Sequence, residues 1–169
     1  MSVERALNLL GAAAQLCTDR QNSAISSLVG LNGTSAAALV TIGHAPGESI
    51  EFLRLALCRS HSATVRLVAD LTSRGLVDRS ELDDGRAVGL QLTASGERLV
   101  EKIHSARMDA LSHCLKGLTS VEVNRLSALL GRLLESNVSD DGHAYQICRL
   151  CNGDACDPCP VEDAVSETA

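Results

Sequence analysis

Apolar positions recur at near-helical spacing through the first thirty residues, at Val3, Leu7, Leu10, Ala14, Ile25 and Leu28. They predict a helix over 3–29 whose polar middle, Thr18 to Ser23, invites a kink or break. A turn at Leu31-Asn32-Gly33 precedes a second helix over 34–44, with Thr34 or Ser35 as N-cap and Pro46-Gly47 as the stop. Ile50, Leu53 and Leu57 place a short helix at 49–57. The turn Cys58-Arg59-Ser60 leads into a helix from His61 to Arg74, which stops at Gly75 and carries a stripe of Thr64, Leu67, Val68 and Leu71. Two helices joined by a three-residue turn have the helix-turn-helix layout. Val88, Leu90 and Leu92 then alternate, and Asp84-Gly85 is a hairpin signal, so a two-stranded antiparallel ribbon is expected over 76–92. Thr93 caps a helix over 94–116 with Leu99, Ile103, Ala106, Ala110 and Cys114 on one face. The capping box Thr119-Ser120-Val121-Glu122 opens a last helix, to 136, rich in leucine at 126, 129, 130, 133 and 134. The fold class is mainly α with a small two-stranded wing. The first helix and the last two are too apolar for so small a body to cover, so a second copy of the chain is expected over them as a dimerisation region. The chain divides into 1–33, 34–93, 94–136 and 137–169. Residues 137–147 read as a linker, and a cysteine-rich tail begins at Cys148.

Composition narrows the function. A length of 169 residues with 45% apolar content supports one domain with a tail. Phe52 and Tyr145 are the only aromatics, which excludes a ring platform for single-stranded nucleic acid. No apolar run approaches the roughly 18 residues of a spanning helix. The stretch Leu9–Leu16 follows Glu4 and Arg5, without the pattern of a signal peptide. The expected setting is cytoplasmic, with no membrane partner. The net charge of −6 resides wholly in the tail: residues 1–135 hold 14 basic and 14 acidic side chains, and residues 136–169 hold Arg149 against seven acids. No nucleophile–base arrangement, phosphate loop or paired carboxylate stands at recognisable spacing, so the chain is not read as an enzyme.

The helix from His61 points to double-stranded DNA. With Thr64, Leu67, Val68 and Leu71 inward, His61, Ser62, Ala63, Val65 and Arg66 face out from its N-terminal half, small enough to enter a major groove about 12 Å wide. Ser60 and Ser62 can donate to phosphates, Arg66 suits a guanine edge or a phosphate, His61 a base edge and Val65 a thymine methyl. Arg59 in the turn can add a phosphate contact, and Arg79 at the ribbon base would reach a phosphate or else a neighbouring acid. Arg86 sits at the ribbon tip, suited to a minor groove, with Asp84 placed to orient it. The competing reading is an ordinary solvated helix and a surface hairpin. Residues 48–98 resemble the MarR family of winged helix-turn-helix regulators through Ser60-His61-Ser62-Ala63-Thr64-Val65-Arg66-Leu67-Val68, Arg74-Gly75-Leu76-Val77-Asp78-Arg79, Asp83-Asp84-Gly85-Arg86 and Leu92-Thr93-Ala94-Ser95-Gly96. With the flanking helices the likeness spans 1–136. It implies a homodimer with two recognition helices in successive major grooves of a palindromic operator, an arginine at each wing tip, and repression relieved by a small ligand or by cysteine oxidation. Where such turns often carry Gly and an apolar residue, this chain has Cys58-Arg59. Its 48–98 segment holds seven arginines against eight acids, so modest non-specific affinity is expected.

The tail lies outside that resemblance. Cys148, Cys151, Cys156 and Cys159 form C-x2-C-x4-C-x2-C, a spacing that suits four-thiolate metal binding. Zinc is the first reading and an iron–sulfur cluster the second; disulfide switching and a mobile tail remain beside them. His143 could compete for a tail metal. Cys114 reads as a buried small hydrophobe and Cys58 as a structural residue. Cys17 lies in the first helix, where some oxidant-sensing relatives keep a reactive cysteine, but without supporting tyrosines here. The chain is thus expected to be a sequence-specific transcription regulator, redox- or metal-responsive through its tail. The alternative is a winged-helix protein-interaction module that binds no DNA and docks a partner through the acidic tail.

Overall fold

The computed structural model describes residues 2–81 and 88–166. Helix α1 (Val3–Val29) runs along α5 (Ala94–Ser112), and α2 (Gly33–His44) lies inside the body. Helices α3 (Ile50–Ala56) and α4 (His61–Ser73) are followed by strands β1 (Val77–Glu81) and β2 (Val88–Leu92), and α6 (Ser120–Glu135) follows α5. Two further helices, α7 (Asp141–Cys148) and α8 (Pro160–Ser166), close the described chain.

Local chemistry sets these limits. α1 is continuous, with no break at the polar middle that left room for one: that stretch has neither Gly nor Pro, and Arg107 Nε of α5 donates to Gln21 Oε1 at 3.0 Å. The N-cap of α2 is Asn32, not Thr34 or Ser35, because the Asn32 side chain reaches the buried Ser35 amide at 2.9 Å from an extended backbone. α5 ends earlier than expected and tightens into a 3-10 turn over His113–Leu115. The capping box of α6 is formed, with Thr119 N donating to Glu122 Oε2 at 2.8 Å and Glu122 N to Thr119 Oγ1 at 3.4 Å.

One core joins Ile25 of α1, Leu39 of α2, Leu53 of α3, Val68 and Leu71 of α4, Val77 of β1, Leu90 of β2 and Ile103 of α5. The ribbon is antiparallel, pairing Val77 with Leu92 and Arg79 with Leu90. The segment before α3 adds a short third edge: Leu90 N donates to Glu48 O, and Gly47 N to Leu90 O. At the ribbon base, Thr93 Oγ1 donates to Gly75 O at 2.7 Å and accepts from Gly96 N at 3.1 Å, so one side chain ties the end of α4 to the start of α5. Among the described residues no single helix is long and apolar enough to cross a membrane. The bent pair α1 and α2 passes by length and composition, yet it meets at 85° and α2 is largely buried.

Candidate nucleic-acid interface and the cysteine tail

The inner stripe of α4 is set as the periodicity predicts. Thr64, Val68 and Leu71 are buried and Leu67 is partly so. That leaves His61, Ser62 and Arg66 exposed, with Ala63 and Val65 half-buried beside them. Val65 therefore offers only part of its side chain to a groove. Ser60 caps the helix, its Oγ accepting from Ala63 N at 3.3 Å, while Thr64 Oγ1 donates to Ser60 O at 3.1 Å. Ser60 Oγ and Ser62 Oγ stand 3.5 Å apart and either can donate to the other, which leaves the second hydroxyl proton of the pair to donate outward. First-turn amides and two hydroxyls make this end of α4 suited to phosphate oxygens.

Charge around the turn is partly committed. Arg54 is held by Glu51 at 2.6 Å, and His61 Nδ1 lies 3.6 Å from the same carboxylate. The Arg54 hydrogen bond is the main cause that lowers the Glu51 carboxyl below its ordinary range. His61 must leave this contact to read a base edge. Exposed Arg59, Arg66 and Arg79 belong to none of the three ion pairs found among the described residues. Cys58, in the turn between α3 and α4, has φ +51°, the left-handed region that favours glycine. The wing-tip pair Asp84 and Arg86 lies outside the described residues.

The tail departs from the expected linker and loop. Asp140 accepts from His143 N at 2.9 Å and so caps α7, and Pro160 opens α8 at the position a helix tolerates best. Tyr145 of α7 meets Phe52 of α3 edge to face at 4.7 Å, and Gln146 Nε2 donates to Leu55 O at 3.3 Å. Val161 of α8 is buried, and Pro160 reaches Gly131 of α6. Cys148, Cys151, Cys156 and Cys159, all half-buried free thiols, line one cavity of about 640 Å³ with His44 and Tyr145. The neighbouring Cys148 and Cys151 thiols share one proton's worth of stabilisation, which holds Cys148 far above the ordinary thiol range and lowers Cys151 to about 6, aided by the Arg107 guanidinium. No three His, Cys, Asp or Glu side chains among the described residues already stand together as a metal site. His143 bonds Ser139 on the exposed edge of α7 and does not line the cavity.

The remaining cysteines and histidines are more organised than their scatter in the chain suggests. Cys17 of α1 meets Cys114 below α5; burial, then their hydrogen bond, pushes the Cys17 thiol up. Cys114 is half-buried rather than deep in the core. His44 and His104 stack at 6.4 Å beside Cys151, and burial lowers both. Long-range pairing of this kind carries no periodic signal.

No protein-family model matches the chain. Over 108 residues it is 30% identical to the transcriptional repressor MprA of Escherichia coli K12; the match covers 62% of this chain and 61% of that protein's length. Among solved structures, the apo form of wild-type MarR from Escherichia coli is 26% identical with a TM-score of 0.66, over 79% of this chain and 98% of that one. The fold is also that of RV1404 from Mycobacterium tuberculosis, at TM-score 0.72 and 20% identity, over 82% of this chain and 97% of that one.

Proposed function

We infer that this MarR-type winged-helix chain is a sequence-specific, double-stranded-DNA-binding transcription regulator that works as a homodimer. Its MprA relative is a repressor, and repression from a palindromic operator is the mode that kinship supports. The observation that carries the reading is the division of α4. Thr64, Val68 and Leu71 fix one face into the core, and the opposite face presents His61, Ser62 and Arg66 to solvent. The exposed His61, Ser62 and Arg66 follow directly on exposed Arg59, so polar and basic groups gather at the N-terminal end of the helix. The tail lies back on α3 and α6. A metal, a change of redox state at the tail thiols, or a small-molecule effector would supply the signal, and the cytoplasm the setting.

The test begins with selection of bound duplexes from random DNA by the full chain, followed by titration of the selected site at each of several salt concentrations. Arg66→Ala is expected to weaken specific binding by about 1–3 kcal/mol and to relax preference at one base position. Arg59→Ala is expected to weaken all sequences alike and to flatten the salt slope. Selection that yields no preferred sequence sinks the reading.

A further inference from the structure

The four tail cysteines arrive from two separately anchored elements. Cys148 ends α7, and Cys151 follows one turn on, its amide bonded to Cys148 O at 2.8 Å. This pair is fastened to α3 through Tyr145 on Phe52 and Gln146 on Leu55 O. Cys156 and Cys159 precede α8; Asp163 N bonds Cys159 O at 3.0 Å, and the pair is fastened to α6 through Pro160 at Gly131 and the buried Val161. Both pairs open into the same cavity. Arg107 of α5, whose Nε donates to Gln21 Oε1 at 3.0 Å, is close enough to Cys151 to favour its thiolate, a positive charge where four thiolates around a divalent ion would leave an excess of negative charge. The donors are soft, equal in kind and spaced as two chelating pairs, which fits a thiophilic centre; among the described residues no three of them yet stand at ligating separations.

We propose that Cys148, Cys151, Cys156 and Cys159 close on one thiophilic metal centre, a zinc ion or an iron–sulfur cluster, and that closure clasps α3 to α6. The pairs hang from different helices, so a centre shared by all four joins what hydrogen bonds and a few apolar contacts otherwise hold. α3 is the first helix of the helix-turn-helix, and α6 carries the apolar face assigned to the dimer. The clasp therefore fixes the reading helix relative to the paired body. This deepens the metal-responsive part of the function above, and its consequence for operator affinity rests on that reading; the metal chemistry does not.

The test uses the full chain purified without oxygen. Iron, sulfide and zinc are measured as isolated, and the metal-free protein is titrated with Co(II) alone as the probe. The expected result is one centre per chain. Colourless protein with zinc, and tetrahedral thiolate–cobalt bands that Zn(II) abolishes, identify the ion; brown protein with iron and sulfide identifies the cluster. Cys151→Ser and Cys156→Ser, one from each pair, are each expected to weaken metal binding by more than about 100-fold, beyond the loss of an outer partner. Cys58→Ser, outside the tail, retains wild-type binding and serves as the folding control. Amide exchange is expected to slow in α3, α7 and α8 on loading. Absence of every metal at stoichiometric level, or unchanged binding in both tail variants, overturns the site; exchange in α3 indifferent to loading overturns the clasp. Metal binding that survives while no operator is found supports the site and removes the DNA reading alone.

Discussion

Cys58 occupies the one left-handed position that a non-glycine residue takes among the described residues. The left-handed region crowds Cβ against the following carbonyl and costs about 1 kcal/mol for most side chains. Cys58 is exposed, so packing does not repay that cost. Cys58→Gly is therefore expected to stabilise the chain by about 0.5–1 kcal/mol, read as a higher urea midpoint at unchanged slope. An unchanged or lower midpoint would mean that the thiol contributes packing its exposure does not show. The same position explains why the departure from the usual turn residues was visible in the chain while its conformation was not. The Cys58-Arg59 pair stands out against the motif, but φ at a turn answers to the helices on either side. The recognition residues were legible for the opposite reason: once Thr64, Val68 and Leu71 are assigned inward by spacing, the exposure of His61, Ser62 and Arg66 follows from helix geometry alone.

Helices α1 to α7 each begin where a side chain takes up a free amide, which is why starts were read more accurately than ends. The exception at α2 turned on reach: Asn32 and Ser35 stand three residues apart, and the longer side chain becomes the acceptor. The cap of α6 carries a pH dependence. The Thr119 backbone N–H first, and its hydroxyl second, hold the Glu122 carboxyl below its ordinary 4.5. A carboxyl lowered in the folded state stabilises above the unfolded value and loses that contribution as pH falls through the folded one. Glu51 and Asp140 are lowered likewise and titrate in the same acid window. Glu122→Gln is expected to flatten the fall of the urea midpoint below about pH 4.5 relative to wild type, and an identical acid limb in both proteins would contradict it. At the start of α5 the constraint is space. A Cβ at Gly96 would collide with the Leu76 carbonyl oxygen and press Leu92 at 3.2 Å. The carbonyl is backbone and also accepts from Thr93 N, so it cannot turn aside freely. Gly96→Ala is expected to cost about 1–3 kcal/mol in chemical denaturation, whereas Gly11→Ala, with open space around it, should not destabilise. The tail helices were missed although Asp140 and Pro160 both mark helix starts. Their apolar residues are too few to show a period, and only contact with α3 and α6 makes the segments hold.

Across the whole molecule, the apolar faces of α1 and α6 have no counterpart among the described residues. α6 leaves Leu129 61% and Leu130 43% exposed, and α1 leaves Leu7 62% and Leu10 48% exposed. The core formed by α1 to α5 is already closed around Ile25 and Ile103, so folding alone cannot use these side chains. Burial of a leucine side chain is worth about 1.5–3 kcal/mol. In a twofold pair each substitution acts twice, and a few such residues per protomer decide association. A two-site operator needs both reading helices at fixed separation, so loss of association should cost DNA binding without any change to α4 itself. Leu129→Glu with Leu130→Glu is expected to shift the sedimenting mass from twice the 17.7 kDa chain to one chain. Helix content should remain, because neither side chain belongs to the core, and binding to the selected duplex should fall with the dimer. Wild-type protein that sediments as a single chain at concentrations where it binds DNA would refute the paired arrangement. A charged variant that stays paired would place the interface elsewhere than on α6.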